Sequence, residues 1–286
     1  MVFLLSEFDQ RMPETQTPEI FFHVGLGKVA SKYLQFRVFP KLEGICYIPT
    51  RRYKVSKKLI RKKGCNTYLI SREFDRQFER EVEWFSRDYP KTKSILLLRR
   101  HDSWIASQYR RFVKNGFPGA FTDFMDIKEN RGDWDRKELY FFDKIRILEK
   151  YFDSKPLVLF YDDFLENPGD FIMAIVNYVG ADLSLDEISF SPKHSSYNEK
   201  QLKVMQRLSR RFAFLEDRER KSQFYKSVRR YLKMPLRYPM LYLAQIIPDQ
   251  WVPEEELIPG EELEKIRWEF TEDWESCREY ARENNP

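Results

Sequence analysis

Long apolar runs are what this sequence most plainly lacks. No stretch approaches the ~20 residues needed to cross a bilayer, and the opening MVFLLSEFDQRMPE has an apolar run of only four residues, VFLL, before charge appears. That is shorter than the hydrophobic region of a signal peptide. Cysteine is scarce as well: Cys46, Cys65 and Cys277 are odd in number, widely separated and in no C-x-x-C pair. Such spacing predicts neither a disulfide framework nor a zinc site. Together these absences lead us to expect a soluble protein of a reducing compartment, cytoplasmic in location. A dominant charge is also missing, since 50 basic residues face 45 acidic ones for a net +5. This argues against general nucleic-acid binding and for an anionic ligand held in a local basic site. Internal repeats and low-complexity linkers are absent too. What is present, 42% hydrophobic and 16% aromatic residues over 286 positions, is ample for a packed core.

Short apolar runs alternate with helical patterns, as in a parallel sheet covered by helices. The predicted strands are EIFFHVG (19–25), GICYIP (44–49), TYLI (67–70), SILLLR (94–99) and LVLFY (157–161). Helical spacing links Ala30, Leu34 and Val38; Phe78, Val82 and Phe85; Ile105, Tyr109 and Phe112; and Leu139, Phe142, Ile145 and Leu148. A further helix starts at the proline of NPGDFIMAIVNYVG and ends at Gly180. The segment 227–248 mixes basic and apolar residues and carries three prolines. It reads as a partly buried helical cap with snorkelling cations, or as a peripheral membrane-surface element.

The first strand runs into HVGLGKVASKYLQF (23–36). A strand followed by a glycine-containing turn and a helix aims backbone N–H groups at one point and binds a phosphate-like anion. Gly25 and Gly27 are expected to permit the tight turn, and Lys28 adds a mobile charge. An ATP- or GTP-binding loop would read G-x-x-x-x-G-K-[ST], but here Phe22 stands at the first glycine and Val29 follows the lysine. The magnesium-ligating hydroxyl is therefore lacking, which points to an anion activated without a metal.

On these residues the stretch resembles the 5′-phosphosulfate loop of sulfotransferases that use 3′-phosphoadenosine 5′-phosphosulfate (PAPS). The match covers Gly25, Gly27, Lys28, Val29, Ala30, Ser31 and the helix through Leu34 and Gln35. Ala30 stands where that family often has glycine, and Lys32 where it often has a second hydroxyl. A second resemblance lies in SILLLRRHDSWIASQYRRF (94–112), where Arg99 at a strand end and Ser107 eight residues later match the family's 3′-phosphate clamp. A guanidinium fork suits phosphate oxygens, and a hydroxyl adds a shorter neutral bond. His101 stands where the family commonly has proline. Weaker likeness extends to 158–180, to the acidic C-terminal segment, and to SPKHSSYNEKQL (191–202), which implies Lys193, Ser195 and Asn198 as cofactor contacts.

The resemblance implies a three-layer α/β/α fold, P-loop-like, with a central, mostly parallel five-stranded sheet. It implies a single sulfotransferase domain over 1–286, with an α/β nucleotide-binding core at 18–215 and a helical extension at 216–286. The implied reaction transfers a sulfuryl group from PAPS to the hydroxyl of a carbohydrate or lipid-like acceptor. It yields adenosine 3′,5′-bisphosphate (PAP), needs no metal and has Lys28 stabilise the leaving group. For the general base, Glu73 after the third strand is preferred, with Asp75 next and His23, His101 and His194 as further options. The basic stretch 47–64 falls where substrate-facing structure is expected and suits an acidic acceptor, although a solvated loop would read the same. Two other readings stay open: a P-loop kinase or NTPase with Asp162 as its acidic metal partner, and a non-catalytic nucleotide-binding protein.

Overall fold

The structure is a computed structural model that describes residues 17–62, 64–190, 197–213, 239, 241–252 and 254–286. Five strands form one sheet: β1 (Glu19–Gly25), β2 (Cys46–Ile48), β3 (Thr67–Glu73), β4 (Lys93–Leu98) and β5 (Leu157–Phe160). Every pairing is parallel, in the order β2-β3-β1-β4-β5. Each strand is apolar on both faces because helices cover both sides. Phe22, Val24, Leu69, Ile70 and Leu96 to Leu98 are fully buried. All five expected strands form.

The helices are α1 (Ser31–Tyr33), which continues through a π turn (Leu34–Val38) and a 3₁₀ turn (Phe39–Lys41), then α2 (Ser56–Arg61), α3 (Phe78–Ser86) and α4 (His101–Lys114). They are followed by α5 (Phe121–Phe124), α6 (Phe141–Tyr151), α7 (Tyr161–Glu166), α8 (Pro168–Val179) and α9 (Glu199–Ala213). The last two are α10 (Gly260–Glu269) and α11 (Thr271–Asn284). Local chemistry sets several ends. Asn167 caps α8 by accepting from Asp170 N, Pro168 opens it, and Gly180 closes it at φ 63°, as the sequence predicts. The architecture is the expected three-layer α/β/α arrangement.

One expectation fails here. Cys46 and Cys65 are joined in a disulfide, with Cα atoms 6.1 Å apart and a sequence separation of 19. The register explains the pairing: Cys46 lies opposite Tyr68, so the chain approaching β3 brings Cys65 alongside β2. Spacing in the sequence does not reveal such a neighbour, because it depends on which strands pair. Cys277 is free and buried. No helix among the described residues is long and apolar enough to cross a membrane. Of segment 227–248, only residue 239 and residues 241–248 are described. There Leu241 and Ala244 are buried, while Tyr242, Leu243 and Ile246 are exposed.

Candidate functional site at the carboxyl edge of the sheet

The parallel sheet gathers the C-terminal ends of its strands along one edge, where ligands of open α/β sheets bind. Gly25, the last residue of β1, lies opposite Glu73, the last of β3. Phe74 N–H donates to Gly25 O at 2.7 Å and ties the two strand ends together. Glu73 thus ends a strand and does not open a helix. Arg99 follows β4 directly, and Asp162 lies in the first turn of α7, just beyond β5.

Backbone conformation in the first loop differs from expectation. The residues with positive φ are Lys28 (73°) and Ala30 (65°), not Gly25 or Gly27. A Cβ added at Gly25 would sit 3.6 Å from Leu97 N, and one at Gly27 3.5 Å from Asp75 Oδ1, both ordinary contacts. The left-handed turn therefore falls on a lysine and an alanine, each at a cost of about 1 to 2 kcal/mol. Left- and right-handed residues in succession curl the backbone into a nest of N–H groups that suits an anion. Among the described residues, the N–H groups of Lys28, Val29 and Ala30 have no partner.

Side chains from three other segments hold this strained loop. Gly27 N–H donates to Asp75 Oδ1 at 3.2 Å, and Trp104 Nε1 donates to Gly27 O at 2.9 Å. Arg99 Nη1 donates to Lys28 O at 3.2 Å. Ser31 is buried and its hydroxyl donates to Leu26 O at 3.3 Å, so what Ser31 offers an anion is its backbone N–H at the start of α1. Val29 likewise buries its side chain. Lys32 is exposed beside Lys28.

Positive charge concentrates around the nest. Solvent reaches Lys28, yet the flanking protein strips part of its hydration, and Arg111, Lys32, Lys114 and Arg99 repel its proton. Its pKa falls to about 8, with desolvation the larger cause. Arg99 has no carboxylate partner within ion-pair distance among the described residues. Its Nε donates to Ser103 Oγ at 2.7 Å, and its guanidinium lies over the Tyr161 ring at 4.4 Å. Desolvation lowers its pKa too. Ser107 is half-buried one turn beyond Ser103 on α4, with no bond to its hydroxyl among the described residues. Sequence reasoning missed Ser103, Arg111 and Lys114. Their spacing with Ser107 (103, 107, 111, 114) was the available signal, because residues three and four apart share a helix face.

The two carboxylates weighed as bases stand differently. Asp75 is committed: besides Gly27 N–H, it accepts from Arg111 Nη2 at 3.0 Å and from Gln108 at 3.5 Å. Glu73 accepts no hydrogen bond among the described residues. Burial raises its pKa, neighbouring Asp75 adds to the rise, and Lys32, Arg111 and Lys28 oppose it.

The described histidines are engaged elsewhere. His23 is fully buried, with Nδ1 2.7 Å from Ser71 Oγ, and burial lowers its pKa to about 3. His101 stacks between Phe141 and Phe270, and its Nε2 lies 2.9 Å from Asp273 Oδ2. Asp273 also accepts from the N–H groups of Phe141 and Phe142. His101 therefore fastens the start of α4 to α11, a role for the C-terminal segment that its sequence does not suggest. Asp102, next along α4, accepts from Arg100 and from Arg267 of α10.

Lys193, His194 and Ser195 lie outside the described residues. Asn198 opens α9 through a reciprocal pair with Gln201, at 2.8 and 2.9 Å, which is a helix cap. Among the described residues no three of His, Cys, Asp and Glu are grouped as metal ligands.

No protein-family model matches the chain, and no curated protein does. Among solved structures, the crystal structure of a sulfotransferase from Alicyclobacillus acidocaldarius is similar at 14% sequence identity and a TM-score of 0.50. The likeness covers 70% of this chain and 96% of that one. At this identity it establishes a shared architecture, so the chain has a sulfotransferase-like α/β fold.

Proposed function

We propose that this protein is a sulfotransferase that uses PAPS to sulfate an acceptor hydroxyl. One observation carries the reading: a nest of unpartnered N–H groups at Lys28 to Ala30 sits among cations in excess of local carboxylates, in a sulfotransferase-like fold. Of the cations acting on Lys28, only Arg111 has a carboxylate partner among the described residues, Asp75. A nucleotide with phosphate groups at both ends matches such a distribution. The loop would hold the 5′ end, and Arg99 with Ser103 and Ser107 the 3′-phosphate.

When bound, PAPS supplies the sulfuryl group and PAP is what remains. With PAPS held by the nest, Glu73 would take the proton of the acceptor hydroxyl that receives the sulfuryl group, and Lys28 would offset the negative charge that develops on the departing 5′-phosphate. A carboxylate with a raised pKa is suited to general-base work near neutrality, and oriented donors with a cation suit developing negative charge. Asp75 and Trp104 act on the loop's shape and not on the reacting atoms.

Calorimetric titration with PAP in EDTA, with magnesium ATP as the competing ligand, tests the donor site. Micromolar binding of PAP without metal is expected; preference for magnesium ATP would overturn the reading in favour of a kinase. Glu73→Gln should then cut transfer by about 10²- to 10⁴-fold while PAP binding changes little. Unimpaired transfer in that variant would remove Glu73 from the mechanism.

A further inference from the structure

The segment between β2 and β3 carries a row of cations that the donor site does not use. It consists of a 3₁₀ helix (Thr50–Val55) running into α2 (Ser56–Arg61). Its inner face is packed: Tyr53, Ser56 and Ile60 are buried. Its outer face presents Arg51, Lys54, Lys58 and Lys62, all exposed. The spacing of three, then four, then four residues follows the change from 3₁₀ to α geometry, so the four side chains form one stripe about 18 Å long. None has an ion-pair partner among the described residues. Of the other basic positions, Lys57 and Arg61 both pair with Asp88, and Lys57 also lies over the Trp84 ring at 4.0 Å, while Arg52 is exposed, off the row and without an ion pair among the described residues.

Two contacts bring the start of this stripe to the candidate base. Thr50 Oγ1 donates to Ser71 O at 3.0 Å, and the Tyr53 ring packs on Phe74 with centroids 5.2 Å apart. These anchors bracket Glu73 in sequence, so the 3₁₀ helix that carries Arg51 and Lys54 packs against the end of its strand. At the other end of the sheet the Cys46–Cys65 disulfide ties the segment's flanks together. The stripe is thus held in place against ordered structure.

We infer that the stripe is an acceptor subsite for an acidic carbohydrate chain whose carboxylates or sulfates follow the row while one of its hydroxyls reaches Glu73. This rests on the sulfotransferase reading above. Four like charges at intervals of one helical turn, with no ion-pair partner among the described residues, call for a ligand with repeated negative charge, not a single anionic group. An acidic carbohydrate also offers hydroxyls all along its length, whereas an acidic peptide offers one only where Ser, Thr or Tyr occurs.

Fluorescence anisotropy in the presence of PAP tests the subsite. The probes are labelled fragments of hyaluronan (carboxylate only), chondroitin sulfate (carboxylate and sulfate), neutral dextran, and a polyglutamate peptide containing tyrosine. The variant is R51A/K54A/K58A. A charge-matched control, R131A/K137A/R146A, removes exposed cations that pair locally with Glu129, Asp135 and Asp143. We expect one or both acidic fragments to bind, with the stripe variant at least tenfold weaker and the control within twofold. Both variants should keep the parent's PAP affinity and melting temperature. Preference for a carboxylate-only or a sulfated fragment identifies which anion the row reads. Equal loss in both variants, dextran binding as well as the acidic fragments, preference for the peptide, or no binding of either acidic fragment would overturn the inference. Failure of the parent to bind PAP would instead count against the donor site alone.

Discussion

Lys28 combines a left-handed backbone with a crowded charge, and each has a measurable consequence. With its pKa lowered to about 8, Lys28 in the free protein begins to lose its proton just above neutrality. A bound anion favours the charged form, so its pKa rises in the complex, and binding takes up protons between the two values. PAP affinity should therefore fall as pH rises from 7 to 9.5, and calorimetry in buffers of different ionisation enthalpy should detect proton uptake near pH 8. A flat profile would mean that Lys28 does not face the anion. Arg99→Ala should weaken PAP binding by about 1.5 to 3 kcal/mol, the scale of a charge-assisted hydrogen bond. Lys28 and Arg99 were legible in sequence because each sits in a contiguous pattern: apolar strand, turn, helix. Asp75 was read as a second candidate base, but its hold on the loop and that of Trp104 were not legible, since their contacts with Gly27 join residues 48 and 77 positions apart and leave no local signature. Ser103, only four residues after Arg99, was hidden by the stronger family match at Ser107.

Among the elements, two attachments at opposite sides of the sheet support the site. Replacing the disulfide by C46S/C65S should cost about 3 kcal/mol of stability, as expected for a loop of this size, and leave PAP binding intact, because the cross-link holds the acceptor-side segment. Urea unfolding with and without reductant would show it; no change under reductant would mean the bond contributes nothing. The contact of α11 with α4 matters more to the donor side. Asp273→Ala would strip a partner from His101 Nε2 and from the N–H groups of Phe141 and Phe142. Buried donors left unpaired cost about 1 to 3 kcal/mol, so a lower melting temperature together with weaker PAP binding is expected. Strands and long helices were legible because burial on two faces or one stripe writes itself into the apolar pattern. The disulfide and the α11 attachment were not, because both depend on register and packing between distant segments.

For the molecule as a whole, the near balance of charge conceals a local excess: Lys28, Lys32, Arg99 and Lys114 act on one another at the carboxyl edge, with no ion-pair partner among the described residues. A ligand carrying two phosphate groups should be steered to that edge. The association rate of PAP, followed by stopped flow, should then fall as salt shortens the screening length to about 8 Å at physiological ionic strength. A salt-independent rate would mean that no long-range field guides it. The topology was legible only as a class; the order β2-β3-β1-β4-β5 is set by crossovers whose lengths do not name their neighbours. The link from His101 to Asp273 spans 172 residues, which bears on how the protein is made. The residues of the nest and Arg99 are synthesised long before Asp273, yet the first turn of α4 lacks this anchor until Asp273 is made. The ability to hold the nucleotide firmly should therefore arrive with α11 and not as an early property of the sheet.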